Sequence, residues 1–261
     1  MNSLLKIRWY ESAQNIPFFL LAFIHDPWKL FSWSNLLLII IVFSISLLAY
    51  TFNDYIDYEQ DLNNPRKTPL PKAFNGTISL IFCLIPLLGF FWVSTEQFYL
   101  ILVQLVLVLL YSLNHLKSMN LPFFSLFIHF TTAVLFNLMG QLEALTKIQW
   151  ELALICGLLF VIGNLLSQVF DYQVDGDFKL RNFTTLFGVK VNTHLQVLLN
   201  LVITFILFNQ FNSFIVLILG IVFSTWLIIL FSKRSFVHLA QKSYRYFYAS
   251  IFVFLGIISV I

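Results

Sequence analysis

Residues 36–61 read LLLIIIVFSISLLAYTFNDYIDYEQD. No charge occurs from Leu36 to Phe52, and then Asp54, Asp57, Glu59 and Asp61 arrive within eight positions. An uncharged apolar stretch of this kind is about what a helix needs to cross the ~30 Å hydrocarbon core of a bilayer. It ends in carboxylates, each of which costs about 2.5–3.5 kcal/mol or more inside the membrane. The stretch reads as a spanning helix whose far end concentrates negative charge at the membrane surface.

Outward from it the apolar pattern repeats. The chain of 261 residues is 59% hydrophobic and only 10% charged, whereas charged residues make up about a quarter of a soluble domain. Candidate helices lie near 7–24, 34–52, 77–94, 98–113, 122–140, 151–170, 192–208, 212–231 and 244–261. The expected fold is all-α: a polytopic membrane bundle of nine transmembrane helices. No polar linker interrupts it, so residues 1–261 are expected to form a single domain. The first residues lack a signal-peptide pattern, and the first helix is expected to be retained. Cys83 and Cys156 both fall inside apolar spans and read as small core residues, not as a disulfide or a metal pair.

Charge supplies the topology. With the N-terminus placed in the cytoplasm, 13 of the 15 Lys and Arg residues fall on the cytoplasmic side, leaving Lys29 and Lys147 opposite. That asymmetry follows the positive-inside rule. It predicts a cytoplasmic N-terminus in a cell (inner) membrane.

A second acidic stretch, Asp171, Asp175 and Asp177, leaves the sixth helix on the same side, so seven of the 12 acidic residues sit in two short segments. On a helix, Asp54, Asp57 and Asp61 share one face, and so do Asp171 and Asp175. Five carboxylates turned together need a cation. Oxygen ligands at a wet membrane edge suit Mg2+, which is commonly shared between carboxylates and substrate phosphates. Solvated loop acids are the bland alternative, and they explain one such stretch better than two. Arg66 and Lys67 follow the first stretch, Lys117 lies after the fourth helix, and Lys179 and Arg181 follow the second. These cations are suited to the remaining oxygens of a diphosphate. They are equally readable as topology determinants, the only role assigned to Lys233, Arg234, Lys242 and Arg245.

Asn53-Asp54-x-x-Asp57-x-x-x-Asp61 resembles the first aspartate motif of the UbiA superfamily of intramembrane prenyltransferases, and Asp171-x-x-x-Asp175 resembles its second. The segment from Asp175 to Gly188 is similar to the family's tail after that motif, and Tyr111 followed by Lys117 is similar to its Tyr–Lys loop. Thr68 stands where members often carry arginine, and Lys179 where they carry glycine. The resemblance covers nearly the whole chain. It implies an Mg2+-dependent prenyltransferase that moves a polyprenyl group from its diphosphate to a lipophilic acceptor, such as a quinone precursor or carotenoid. Asp54, Asp57, Asp61, Asp171 and Asp175 would bind the metal. Asn53 would orient a carboxylate or bind the diphosphate, and Tyr111 with Lys117 would assist at the reacting end. Membrane lipid is the expected surrounding, and no nucleic acid partner is expected.

Other polar residues carry less. His129 reads first as a hydrogen-bonded core histidine, and Gln168 is placed to face the cavity. The rivals are a cation-coupled transporter, a phosphatidyltransferase using CDP-alcohols, and a scaffold. Transporters place their carboxylates near the midplane of broken helices, whereas these sit at helix ends. The phosphatidyltransferase signature is one contiguous acidic run, and a scaffold leaves the carboxylates unexplained.

Overall fold

In the computed structural model, residues 12–13, 15–23, 26–62, 69–112, 123–145, 147–177, 181–211, 217–218, 220–222 and 224–225 are described. Every regular element among them is helical. Polar caps start the helices at Trp33, Thr95 and Phe183. The first element, α1 (Ile16–Leu20), opens on Pro17 and tightens into a 3-10 turn, Leu21–Phe23. Asn137 donates to the Phe18 carbonyl at 2.9 Å there. Of the helix expected near 7–24, the described part is residues 12–13, α1 and the 3-10 turn. A second 3-10 turn, Pro27–Phe31, leads to α2 (Trp33–Ile56), whose N-cap Ser32 accepts from the Asn35 N–H at 3.3 Å.

Short α3 (Tyr58–Leu62) follows, then α4 (Lys72–Leu88), closed by a 3-10 turn at Gly89–Phe91. Next comes α5 (Thr95–Ser112). A reciprocal cap starts it: the Gln97 N–H donates to Ser94 Oγ at 3.2 Å, and the Ser94 N–H donates to Gln97 Oε1 at 3.0 Å. The remaining helices are α6 (Phe124–Ala144), α7 (Trp150–Asp177) and α8 (Phe183–Phe211). The seventh span, expected from 192, thus begins nine residues earlier, because Asn182 and Thr185 cap it. Within it Gly188 takes φ +84, a left-handed conformation that only glycine adopts cheaply, and the helix kinks there.

Among the described residues six helices are long and apolar enough to cross a membrane: Trp33–Ile56, Lys72–Phe91, Thr95–Ser112, Phe124–Ala144, Trp150–Val169 and Phe183–Gln210. Leu80, Leu84 and Leu88 of α4 and Leu198, Val202 and Phe205 of α8 are exposed, as lipid-facing side chains are. The chain is an integral membrane protein. Cys83, half-buried, and Cys156, buried, form no disulfide among the described residues.

The chain divides into two compact units, Met1–Met119 with Leu135–Gln149, and Asn120–Val134 with Trp150–Ile261. In the first, α2 and α4 run antiparallel, tied by Ser79 donating to Thr51 at 3.0 Å. At the opposite end of α2, Lys29 donates to the last carbonyl of α6, Ala144, at 2.8 Å. Trp28, Phe31 and Trp33 are exposed at that end, and Phe90, Phe91 and Trp92 are exposed at the far end of α4. Such aromatics sit at membrane interfaces. In the second unit α7 packs on α8, and Leu126, Val161, Leu165 and Phe183 form a buried cluster.

Candidate functional site

The first acidic stretch lies where α2 gives way to α3. Asp57 is the break, with φ −86 and ψ 7. Helical hydrogen bonds still pass through it: the Asp57 N–H reaches the Asn53 carbonyl at 2.8 Å and the Asp61 N–H reaches the Asp57 carbonyl at 2.9 Å. The condition for a shared face, a helix running on through the motif, is met by a bend that keeps the helical path. At the bend Asn53 Nδ2 donates to Asp57 Oδ2 at 2.9 Å. Asp54 and Asp57 are half-buried and Asp61 is buried. Tyr55 stacks on Phe52 and lies over Gly76 of α4. A cation missed as a site residue stands alongside: Lys72 Nζ is 3.7 Å from Glu59 Oε1 and 5.8 Å from the Tyr55 ring centroid. Its signal was its place at the start of a span, which read only as topology. Tyr111, half-buried, closes α5, which runs parallel to α2 and so ends on the acidic side of this unit.

In the second unit α7 continues unbroken through Asp171 and Asp175. At 1.5 Å per residue its 28 residues measure about 42 Å. That exceeds the hydrocarbon core and can carry the aspartates into the interface. Asp175 is half-buried, while Gly176 and Asp177 are exposed. Asn182 Nδ2 donates to Asp175 Oδ2 at 2.6 Å. Arg181 is exposed. The side chain of Asp171, and Arg66, Lys67, Lys117 and Lys179, lie outside the described residues.

About one turn before Asp171 a polar ladder begins, and a single backbone donor sets its direction. The Thr184 N–H donates to Gln168 at 3.2 Å, which fixes that atom as Oε1. Gln168 Nε2 then donates to Asn164 Oδ1 at 2.7 Å, and Ser125 Oγ donates to the same oxygen at 3.1 Å. Asn164 therefore turns Nδ2 toward His129 Nε2, 3.2 Å away, which must accept. His129 Nδ1 carries the proton and donates to the Ser125 carbonyl at 2.7 Å. With both ring nitrogens engaged, His129 is a satisfied core histidine. On the other side Asn192 bonds the Thr184 hydroxyl and the Leu165 carbonyl, and Gln196 bonds Asn192. Asn200 continues the row, reaching the Gly220 carbonyl at 3.0 Å. Gln168, placed toward a cavity by its sequence position, is instead a rung of this ladder.

Among the described residues no three His, Cys, Asp or Glu side chains are gathered as a ligand set. The donor chemistry of each stretch nevertheless fits a hard divalent cation. A carboxylate offers about four acceptor sites, so one amide hydrogen bond orients it without exhausting it. Asp57 and Asp175 are each oriented in this way, by a neutral amide.

Comparison with known proteins gives the family and the fold. Residues 15–252 match the model of the UbiA prenyltransferase family. The fold is shared with a UbiA homologue from Archaeoglobus fulgidus bound to DMAPP and Mg2+: TM-score 0.74 at 13% identity, covering 100% of this chain and 99% of that one. It is shared with the apo UbiA homologue from Aeropyrum pernix K1, TM-score 0.72 at 14% identity, covering 97% and 98%. A digeranylgeranylglyceryl phosphate synthase matches with TM-score 0.71 at 15% identity, over 99% and 96%. No curated protein sequence matches the chain.

Proposed function

The chain belongs to the UbiA prenyltransferase family, and from that premise we propose that it transfers a polyprenyl group from its diphosphate to a lipophilic acceptor within the membrane. The observation that carries the reading is the paired arrangement of the acidic stretches. Each lies at a helix end, and each has a carboxylate held by an asparagine amide. An A. fulgidus homologue bound to DMAPP and Mg2+ supports the same donor chemistry.

In this reading Asp54, Asp57, Asp61, Asp171 and Asp175 hold Mg2+. When bound, the metal supplies positive charge to the diphosphate oxygens and so stabilises the leaving group. Asn53 holds Asp57 in its ligating orientation. Arg66, Lys67, Lys117, Lys179 and Arg181 take the oxygens that the metal leaves, and Tyr111 donates a hydrogen bond there. The allylic C1–O bond of the donor breaks, and diphosphate leaves with the bonding electrons. A carbon or oxygen of the acceptor bonds to C1 and gives up a proton. Nine spans in one prenyltransferase domain, with the N-terminus and both acidic stretches on the cytoplasmic side of the cell membrane, complete the proposal. The 13-to-2 distribution of Lys and Arg supports that orientation. A cation-coupled transporter is not favoured, because the acidic stretches end helices and do not interrupt them at mid-membrane.

The test is release of diphosphate from a polyprenyl diphosphate by purified protein supplied with candidate acceptors. Release is expected to require Mg2+ and to be abolished in Asp54→Ala and in Asp171→Ala, both of which still insert. Full activity in both variants, or activity indifferent to a chelator, removes the reading.

A further inference from the structure

We propose that Asn182 is a positioning residue that aims the Asp175 carboxylate at the metal; the inference rests on the metal-binding role proposed above. Its amide is fixed in orientation by the backbone. The Thr185 N–H donates at 2.9 Å to Asn182 Oδ1, so that atom is the oxygen. The opposite face of the amide is then Nδ2, and it donates to Asp175 Oδ2 at 2.6 Å. Thr185 returns the cap, with its Oγ1 accepting from the Asn182 N–H at 2.9 Å and donating to the Asn182 carbonyl at 3.1 Å. One side chain therefore caps α8 and clamps a carboxylate on α7.

The clamp is anchored in turn. Two residues beyond Asn182, the Thr184 N–H and hydroxyl both bond Gln168 Oε1, at 3.2 and 3.3 Å. Gln168 lies on α7 itself, seven residues before Asp175. The start of α8 is thus pinned to α7 at two levels. The lower tie holds the segment, and the upper tie holds the carboxylate. Asp175 Oδ2 receives its hydrogen from a neutral donor that cannot compete with a cation for the ligand's charge. Groups that orient a metal ligand in this way are typically worth about 10–100-fold in metal affinity.

Capping and clamping are separable by substitution. Serine caps a helix as well as asparagine does, but it is one amide group too short to reach Asp175. Asn182→Ser therefore keeps the cap and loses the clamp. Asn182→Asp also keeps the cap, and it replaces the donor with a second carboxylate. Thr185→Ala does the reverse, weakening the cap while the amide still reaches Asp175. The measurement is Mn2+ binding to the full chain in detergent, read by electron paramagnetic resonance with inorganic diphosphate present, beside the metal-free melting temperature. Asn182→Ser and Asn182→Asp are expected to raise the Mn2+ dissociation constant by about 10–100-fold, with the metal-free melting temperature of Asn182→Ser unchanged. Thr185→Ala is expected to lower the melting temperature and leave Mn2+ affinity alone. In turnover, Asn182→Ser should raise the Mg2+ concentration needed for half-maximal rate while kcat at saturating Mg2+ holds. Wild-type affinity in Asn182→Ser and Asn182→Asp overturns the proposal, as does an equal loss in Thr185→Ala. If the wild-type protein itself binds no Mn2+ with diphosphate, it is the metal-site reading that falls, and the clamp falls with it.

Discussion

In the first unit the brace on the acidic stretch is local: Asn53 and Asp57 are four residues apart on one helical path. In the second unit Asp175 is held by Asn182, from beyond the end of α7. The supports beneath differ in the same sense. Under the first stretch α2 and α4 share one hydroxyl pair, Thr51 with Ser79, and Thr51 also bonds the Leu47 carbonyl of its own helix at 2.8 Å. Under the second, α6, α7 and α8 are joined by a row running from His129 through Asn164, Gln168, Thr184 and Asn192 to Gln196. A local brace survives small shifts between helices, because donor and acceptor move together. A brace from a neighbouring helix is only as firm as the packing that registers the two. The ladder supplies that register in the second unit.

The comparison is broken most directly by cutting one rung in each unit. Gln168→Leu strips the Thr184 N–H and hydroxyl and the Asn164 amide of a partner at once. Burying polar groups without partners costs about 1–3 kcal/mol, while a single side-chain hydrogen bond between membrane helices averages about 0.6 kcal/mol. Ser79→Ala leaves Thr51 its own carbonyl partner and should cost less than about 1 kcal/mol. Thermal unfolding in one detergent should therefore show a clearly larger loss for Gln168→Leu. An equal or reversed order would mean that the ladder does not register the second unit.

How much of this could be read beforehand follows the same division. The bounds of α5 and the acidic end of α2 were close to legible, since continuous apolar runs and a motif contained within one helix are local signals. The resemblance implies a carboxylate or diphosphate role for Asn53, and its partner Asp57 lies within the same motif. Asn182 is not legible as a site residue, because its partner lies on another element and a helix cap looks like any other polar residue in the sequence. The row Asn192, Gln196, Asn200, Thr204 repeats every four residues on one buried stripe of α8. Its polar members, with Lys190 before them, depress hydropathy, so the start of α8 is weakly marked in the sequence. Which acceptor the protein prenylates stays unread, because apolar pocket residues carry no local signature.

Glycines sharpen the comparison at the next level of effect. Gly140 of α6, in the first unit, lies so close to α1 and its 3-10 turn that an added Cβ would stand 2.7 Å from Ala22 Cβ and 2.8 Å from the Phe19 carbonyl oxygen. Backbone cannot swing aside as a flexible side chain can, so Gly140→Ala should cost about 1–3 kcal/mol. Gly176, beside the clamped aspartate of the second unit, has nothing within 4 Å of its added Cβ. Gly176→Ala should be neutral, or stabilising by up to about 1 kcal/mol through helix propensity. Both are read by melting temperature. A neutral Gly140→Ala would show that α1 is not pressed on α6.

The smallest effect is expected where the first unit does use a partner distant in sequence, at the end away from its acidic stretch. Lys29 donates to the Ala144 carbonyl, which the helical ladder of α6 leaves without an N–H partner. A cation there also complements the negative end of the helix dipole, a contribution of about 0.3–1 kcal/mol that salt screens. Its other neighbour, Asp26, is 3.8 Å away with both side chains nearly half exposed, a geometry that adds little. Lys29→Met keeps the apolar stem and removes the donor. It should lower the melting temperature slightly, by less at high salt, and leave the rate of diphosphate release unchanged. A loss as large as that of Gln168→Leu would place the register of the first unit at Lys29, and the contrast between a locally braced unit and a ladder-braced one would no longer hold.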